Sequence, residues 1–244
     1  MSNDLITPYC EAIDGILERI RERELPAIRQ AGGLLADAIE QGGLVHVFGS
    51  GHSALIAREA VGRAGGLVPV NDILDPTSGR AERLEGYASE LLTGYDLQYG
   101  LRADEALVVI SNSGINPLPV EVALIGKQRG LHVIALTNRA QSEAATSRHT
   151  SGQRLFEVAD TVIDTHGVAG DAIVPFSEAG ERIGAGSTLA GAMIVNLLVV
   201  SAVEALCARG VEPPVLVSQN LPGTDARNQE LFARYRGRLR QTGA

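Results

Sequence analysis

The stretch ALVVISNSGINPLPVEVALIGKQRG, residues 106–130, reads as a strand, a polar loop and a helix, and it decides the fold class. Ala106–Ile110 is a short apolar run with a β-branched end, the pattern of a strand buried on both faces of a parallel sheet. It halts at Ser111-Asn112-Ser113-Gly114-Ile115-Asn116. Pro117 then suits the first turn of a helix, and Asn116 is placed to cap it. Leu118, Val122 and Ile125 give that helix an apolar stripe, and Gly130 can end it. The first N–H groups of a helix lack internal partners and carry partial positive charge. With the hydroxyls of Ser111 and Ser113, the amides of Asn112 and Asn116, and Gly114 allowing close approach, the loop is a candidate phosphate cradle. A polar strand-to-helix turn with ordinary capping accounts for the same residues and stays open here.

Working outward, a second unit of the same kind precedes it. Leu44–Phe48 reads as a strand, Gly49-Ser50-Gly51-His52-Ser53-Ala54 as a glycine turn, and Leu55, Ala60 and Val61 as the apolar side of a helix. The GxGxxA spacing fits a dinucleotide fingerprint loosely. The acidic residues some twenty positions on, Asp72 and Asp75, lie among Pro69 and Pro76 and not at the end of a clean second strand. Further strands are expected at 132–137 and 159–164, and Val68–Ile73 as a strand at the edge. The alternation predicts an α/β fold, a three-layer α/β/α sandwich with a mostly parallel five-stranded sheet and the ligand at the carboxyl edges of its strands. Residues 1–42 read as an N-terminal helical extension, with Pro26 starting its second helix, and 43–244 as the body of one compact domain.

Gly49, Gly51 and Ser53 match the Gly-x-Gly-x-Ser turn of the SIS (sugar isomerase) family. Ser111, Ser113 and Gly114 match its Ser-x-Ser-Gly-x-Thr loop, with Asn116 where Thr is usual. Arg63-Ala-Gly-Gly, Ser147-Arg-His-Thr-Ser-Gly, Gly170-Asp-Ala and Val211-Glu-Pro-Pro resemble a single-domain branch of phosphosugar isomerase-like proteins. Some of that branch are similar to N-acetylglucosamine-6-phosphate dehydratase. The resemblance implies that the two loops face one crevice, with Gly51, His52 and Ser53 contributing from the first. It also implies that a glutamate between them takes the C2 proton of a sugar 6-phosphate. Glu82 is the first choice and Glu85 the second, on a segment, 81–99, expected to be mostly helical. Ser187 and Thr188, at the start of a late apolar helix, would approach the sugar, and the site would lie at a subunit interface of a homodimer or homotetramer.

The polar stretch 138–154 offers His149 as an acid or base and Arg148 as an anion clamp; a plain surface loop is the competing account. His46 and His132 fall inside strands, where packing is their expected role. One SIS branch uses zinc, which makes His149 with His166 a spatial possibility. No HxH or HExxH spacing supports it, so no metal and no cofactor is expected. No Gly-x-Ser-x-Gly elbow is present. A net charge of −8 argues against non-specific binding to nucleic acid or an anionic membrane. Two unpaired-looking cysteines, Cys10 and Cys207, and an N-terminus without an apolar core point to a reducing, cytoplasmic setting. Leu189–Val200 is twelve residues, short for a membrane span. The reading is a phosphosugar enzyme working by C2 proton abstraction through an enediolate, of isomerase or dehydratase type. A phosphosugar sensor without turnover is the alternative.

Overall fold

The computed structural model describes residues 4–240. Helices α1 (Ile6–Arg23) and α2 (Leu25–Glu40), the latter with Pro26 in its first turn, lead into strand β1 (Val45–Gly49) and helix α3 (Ser53–Glu59). There follow β2 (Val70–Ile73), α4 (Tyr87–Tyr99), β3 (Ala106–Ile110), α5 (Pro117–Gln128) and β4 (His132–Thr137). Short helices α6 (Arg139–Glu143) and α7 (Leu155–Val158) precede β5 (Thr161–Asp164). A hairpin, β6 (Ala172–Pro175) and β7 (Arg182–Ala185), comes before α8 (Ser187–Ala208) and α9 (Asp225–Arg234).

The five strands β1–β5 form one parallel sheet in the order β2-β1-β3-β4-β5. Because the strands are buried on both sides, neighbouring residues feed opposite cores. Val45, Val47, Val108 and Ile134 pack with Ile16, Ile20, Leu35, Ile194 and Leu198 of α1, α2 and α8. Phe48, Leu107, Val109 and Val133 pack with Leu92 and Leu118 of α4 and α5. The order reverses direction between β1 and β3, and such a switch point opens a crevice at the carboxyl ends of the two strands. Gly49 is in register with Ile110, so the loops 50–53 and 111–116 leave the sheet side by side at that crevice.

The structure refines the sequence reading in four places. Residues 76–86 are turns, and α4 begins only at Tyr87, behind Gly86 at φ +84. The late apolar helix, α8, runs for 22 residues around the twelve-residue segment Leu189–Val200; its length and composition alone would let it cross a membrane, and half of its apolar stretch is buried in this fold against α2, α1 and α3. Gly32 of α2 permits that contact, since a side chain there would collide with Ser201 of α8. The segment 172–185 is a β-hairpin, and the extended segment Pro213–Val217 makes a single bridge, between Leu67 and Val215.

At the opposite, amino-terminal edge of the sheet lies a buried polar chain. The Tyr95 hydroxyl donates to His46 Nδ1 (2.8 Å), and His46 Nε2 donates to Glu105 (2.9 Å), a tautomer assigned from the network. Arg238 closes the chain with two bonds to the same carboxylate, at 2.6 and 3.0 Å. Burial favours the neutral imidazole and holds His46 below the usual histidine range, while burial pushes the Tyr95 phenol up. Burial also opposes the Glu105 charge, but the hydrogen bonds from His46 and Arg238 outweigh it and bring the carboxyl down to about 2.

Candidate functional site

The first loop is built on its backbone. Gly51 is at φ +56, His52 is exposed, and Ser53 opens α3. The N–H groups of Ser53, Ala54 and Leu55 go to the carbonyls of Ser50, Gly51 and His52. Gly79 (φ +86) backs onto this turn: a Cβ there would come within 3.0 Å of Gly51 Cα. Asp75 fastens the contact, accepting from the Ser50 hydroxyl (3.0 Å), the Thr77 hydroxyl (2.6 Å), the Gly79 N–H (2.8 Å) and the Tyr87 hydroxyl (3.3 Å). Partial burial works against the Asp75 charge, but the bonds from Thr77, Gly79 and Ser50 prevail and keep its carboxyl below the usual range. Residues 75–86 thus form a strap tied across the first loop.

The second loop is a concave row of donors. The Ser111 hydroxyl accepts from the Gly114 N–H (3.2 Å), and Gly114 adopts φ +63. The N–H groups of Asn112, Ser113, Ile115 and Asn116 find no acceptor among the described residues, and neither does the Ser113 hydroxyl. Successive free N–H groups around a left-handed residue form an anion-binding nest.

The donors expected from the helix are missing. Pro117 and Pro119 have no N–H, and the Leu118 N–H is taken by the carbonyl of Glu82 (3.1 Å). Asn116 stands at the cap position but does not cap. Its Oδ1 accepts from Arg148 Nη1 (2.7 Å), while the Arg148 N–H goes to the Ile115 carbonyl (2.9 Å). The cradle is therefore the loop itself, with Arg148 on its rim.

Glu82 and Glu85 lie on the strap and not on a helix. Glu82 is half-buried and anchored by its carbonyl at the start of α5; Glu85 accepts the Thr150 N–H at 2.5 Å. His149 Nδ1 accepts the Ser151 N–H (3.2 Å), so Nε2 carries the proton and faces Glu121 (3.5 Å) and Glu85 (3.9 Å). Glu121 was not among the expected residues. It is the one acidic side chain in α5, and it accepts from the N–H groups of Gly86 (2.7 Å) and Ala88 (3.4 Å) at the start of α4. A lone carboxylate in an apolar helix was the available signal.

The loops 50–53 and 111–116, the strap and the segment 148–151 thus meet through direct contacts. Residues 8–138, more than half of the chain, match the profile of the SIS domain. A UPF0309 protein of Halalkalibacterium halodurans is 38% identical, with 96% of each chain covered, and a UPF0309 protein of Geobacillus thermodenitrificans is 34% identical over the same shares. The chain belongs to the SIS domain family. Among solved structures, a phosphoheptose isomerase from Francisella tularensis aligns with a TM-score of 0.59 at 20% identity, over 84% of this chain and 100% of that one. A phosphoheptose isomerase from Neisseria gonorrhoeae gives 0.55 at 17%, over 80% and 95%. The Vibrio vulnificus NanR protein complexed with ManNAc-6P gives 0.54 at 13%, over 86% and 66%.

In this SIS domain Ser187 has its own partner: its N–H and hydroxyl both go to Asp171, at 2.8 and 2.7 Å. Thr188 is half-buried beside it, and no hydrogen bond links either residue to 111–116. One turn on, Gly191 packs against Ile56, which puts the start of α8 on the α3 side of the crevice. His166 is bonded to Glu24 (2.8 Å), away from the carboxylates that face His149. Among the described residues no group of three or more His, Cys, Asp or Glu side chains is disposed to hold a metal ion.

Proposed function

We propose that this SIS domain is an enzyme that binds a sugar or amino-sugar 6-phosphate and removes the C2 proton through an enediolate, as an isomerase or a dehydratase. The observation that carries the reading is the junction at the start of α5. There a row of free N–H groups and the Ser113 hydroxyl adjoins the strap that bears Glu82, joined by the bond from Leu118 to the Glu82 carbonyl. The phosphate occupies 111–116 under Arg148, which orients the sugar without taking part in the chemistry. Glu82 takes the C2 proton, and His149, its Nε2–H between Glu85 and Glu121, moves the second proton. Reprotonation at C1 gives the isomer; protonation of the C3 hydroxyl by His149 and its departure as water, with the C3–O bond broken and a C2–C3 double bond formed, gives the unsaturated product. Family membership and the phosphoheptose isomerase neighbours support this reading. Gly51, His52 and Ser53 border the sugar from the first loop, and Ser187 and Thr188 from the α3 side.

The second reading is a phosphosugar sensor without turnover; the NanR neighbour, solved with ManNAc-6P, has this fold with a sugar phosphate bound, which suits either reading. The exposed apolar side chains Leu55, Leu189 and Val200 on α3 and α8 suit a second copy of the chain, as in a homodimer or homotetramer.

Incubation with hexose and hexosamine 6-phosphates in heavy water, followed by mass spectrometry, separates the two readings. An enzyme exchanges the C2 proton, and Glu82→Gln lowers the rate by about 1,000-fold, in the range of a lost general base. A sensor is stabilised by the ligand with no exchange, and that result would overturn the catalytic assignment.

A further inference from the structure

We infer that Asn116 is a positioning residue for Arg148, and that this pair, not the start of α5, supplies the charge that holds a phosphate monoester. The inference rests on the phosphate reading of 111–116 and deepens it.

The start of a helix attracts anions through partial charges on its unsatisfied N–H groups. In α5 those groups are absent at Pro117 and Pro119 and used at Leu118, so little of that attraction reaches the loop. The surroundings are acidic, with Glu82 and Glu85 on the strap and Glu121 one turn into α5. Arg80 and Arg83 are exposed on the strap, and neither is bonded to the loop. Arg148 is the cation tied to it, through Ile115 by its backbone and through Asn116 by its side chain.

A guanidinium has five N–H donors in a rigid fork, and one of them goes to Asn116. The rest find no acceptor among the described residues and can pair two phosphate oxygens at once. Asn suits this work better than the Thr usual in the family. Its Oδ1 reaches further than a hydroxyl on Cβ, and it only accepts, which matches a donor-only partner. Asn116 has the extended backbone of a cap residue (φ −76, ψ 148), but the N–H groups it would cap are used at Leu118 and missing at Pro119, which leaves its side chain free for Arg148.

The test is titration with inorganic phosphate and with glucose 6-phosphate, following thermal midpoint and Kd at two ionic strengths. Asn116→Asp is isosteric and still accepts from Arg148, but it places a carboxylate at the anion site. It is expected to weaken binding about 30-fold with the ligand-free midpoint unchanged, which places residue 116 beside the anion; the positioning itself is read from Asn116→Thr alone and combined with Arg148→Gln. Arg148→Gln is expected to weaken binding by about the same factor and to flatten the salt dependence. Asn116→Thr costs about 10-fold alone and less than about 2-fold in the Arg148→Gln background, because the two residues act as one unit. Additive losses, or wild-type affinity in Asn116→Asp, would overturn the inference while leaving the phosphate reading in place. A wild-type protein that binds neither phosphate nor the ester overturns both.

Discussion

Gly114→Ala is expected to abolish phosphate-ester binding, by about 100-fold or more, and to lower stability by about 2–3 kcal/mol. Two effects add. The residue is at φ +63, where a side chain costs about 1–2 kcal/mol. The new Cβ would also lie 2.7 Å from Thr137 Oγ1 and 2.9 Å from Ser142 Oγ. Both of those side chains are fully buried, one in β4 and one in α6, so neither can withdraw and the loop must move instead. Moving it turns the N–H groups of Ser113 and Ile115 away from their common centre, which is why binding suffers more than folding. Calorimetry of the variant, with and without inorganic phosphate, checks both numbers. Unchanged affinity would show that the loop backbone is not the anion site.

Arg238→Gln is the second change with a large effect, about 3–5 kcal/mol of stability, the range for removing one partner of a buried ion pair. Glu105 is 3% exposed and would keep its charge with only His46 and two backbone N–H groups as donors. The same residue fastens the end of the described chain to the sheet. The Arg238 carbonyl accepts from Asn71 of β2 (2.6 Å), and the Arg240 N–H returns to Asn71 (2.9 Å). Acid should act on the same network. The Glu105 carboxyl is at about 2 against an ordinary 4.5, so its contribution, about 3 kcal/mol, is complete above pH 4.5 and fades as pH falls toward 2. His46 is neutral when folded and binds a proton more readily when unfolded. Its share of the stability therefore begins to fall below about pH 6.5. Thermal midpoints of the wild type should decline from pH 6.5 downward, steepening below 4.5; in Arg238→Gln the lower limb should flatten. A wild-type midpoint constant from pH 7 to pH 4 would contradict the assigned protonation states.

The strands were legible because a strand buried on both faces is an unbroken apolar run, as at 106–110 and 132–137, and the glycine turns mark where each one stops. The strap was not. Asp75-Pro-Thr-Ser-Gly reads as a loop, but Ala81, Glu82, Arg83, Leu84 and Glu85 all favour helix by local propensity. That preference loses to a tertiary bond, since the Glu82 carbonyl serves Leu118, and to Gly86 in a left-handed conformation. Pro117 and Pro119 both announce lost donors in the sequence; that the one remaining N–H between them goes to the strap does not show there. Nor does the bond from Arg148 to Asn116, two residues 32 positions apart, because pairing across loops has no periodic signature. His149 was visible as a candidate, and Glu121, one of the two carboxylates its Nε2 faces, was hidden in a helix that reads as apolar.

The most direct measurement is a titration of the wild type and of Ser113→Glu with glucosamine 6-phosphate, read by thermal midpoint and calorimetry. Ser113 is half-buried and bonds to no described residue, so the variant should fold with a midpoint close to that of the wild type. The account predicts that the ligand stabilises the wild type by about 2–3 kcal/mol at 100-fold excess over Kd and leaves the variant unmoved. Equal affinity in the two proteins would place the phosphate elsewhere and contradict it.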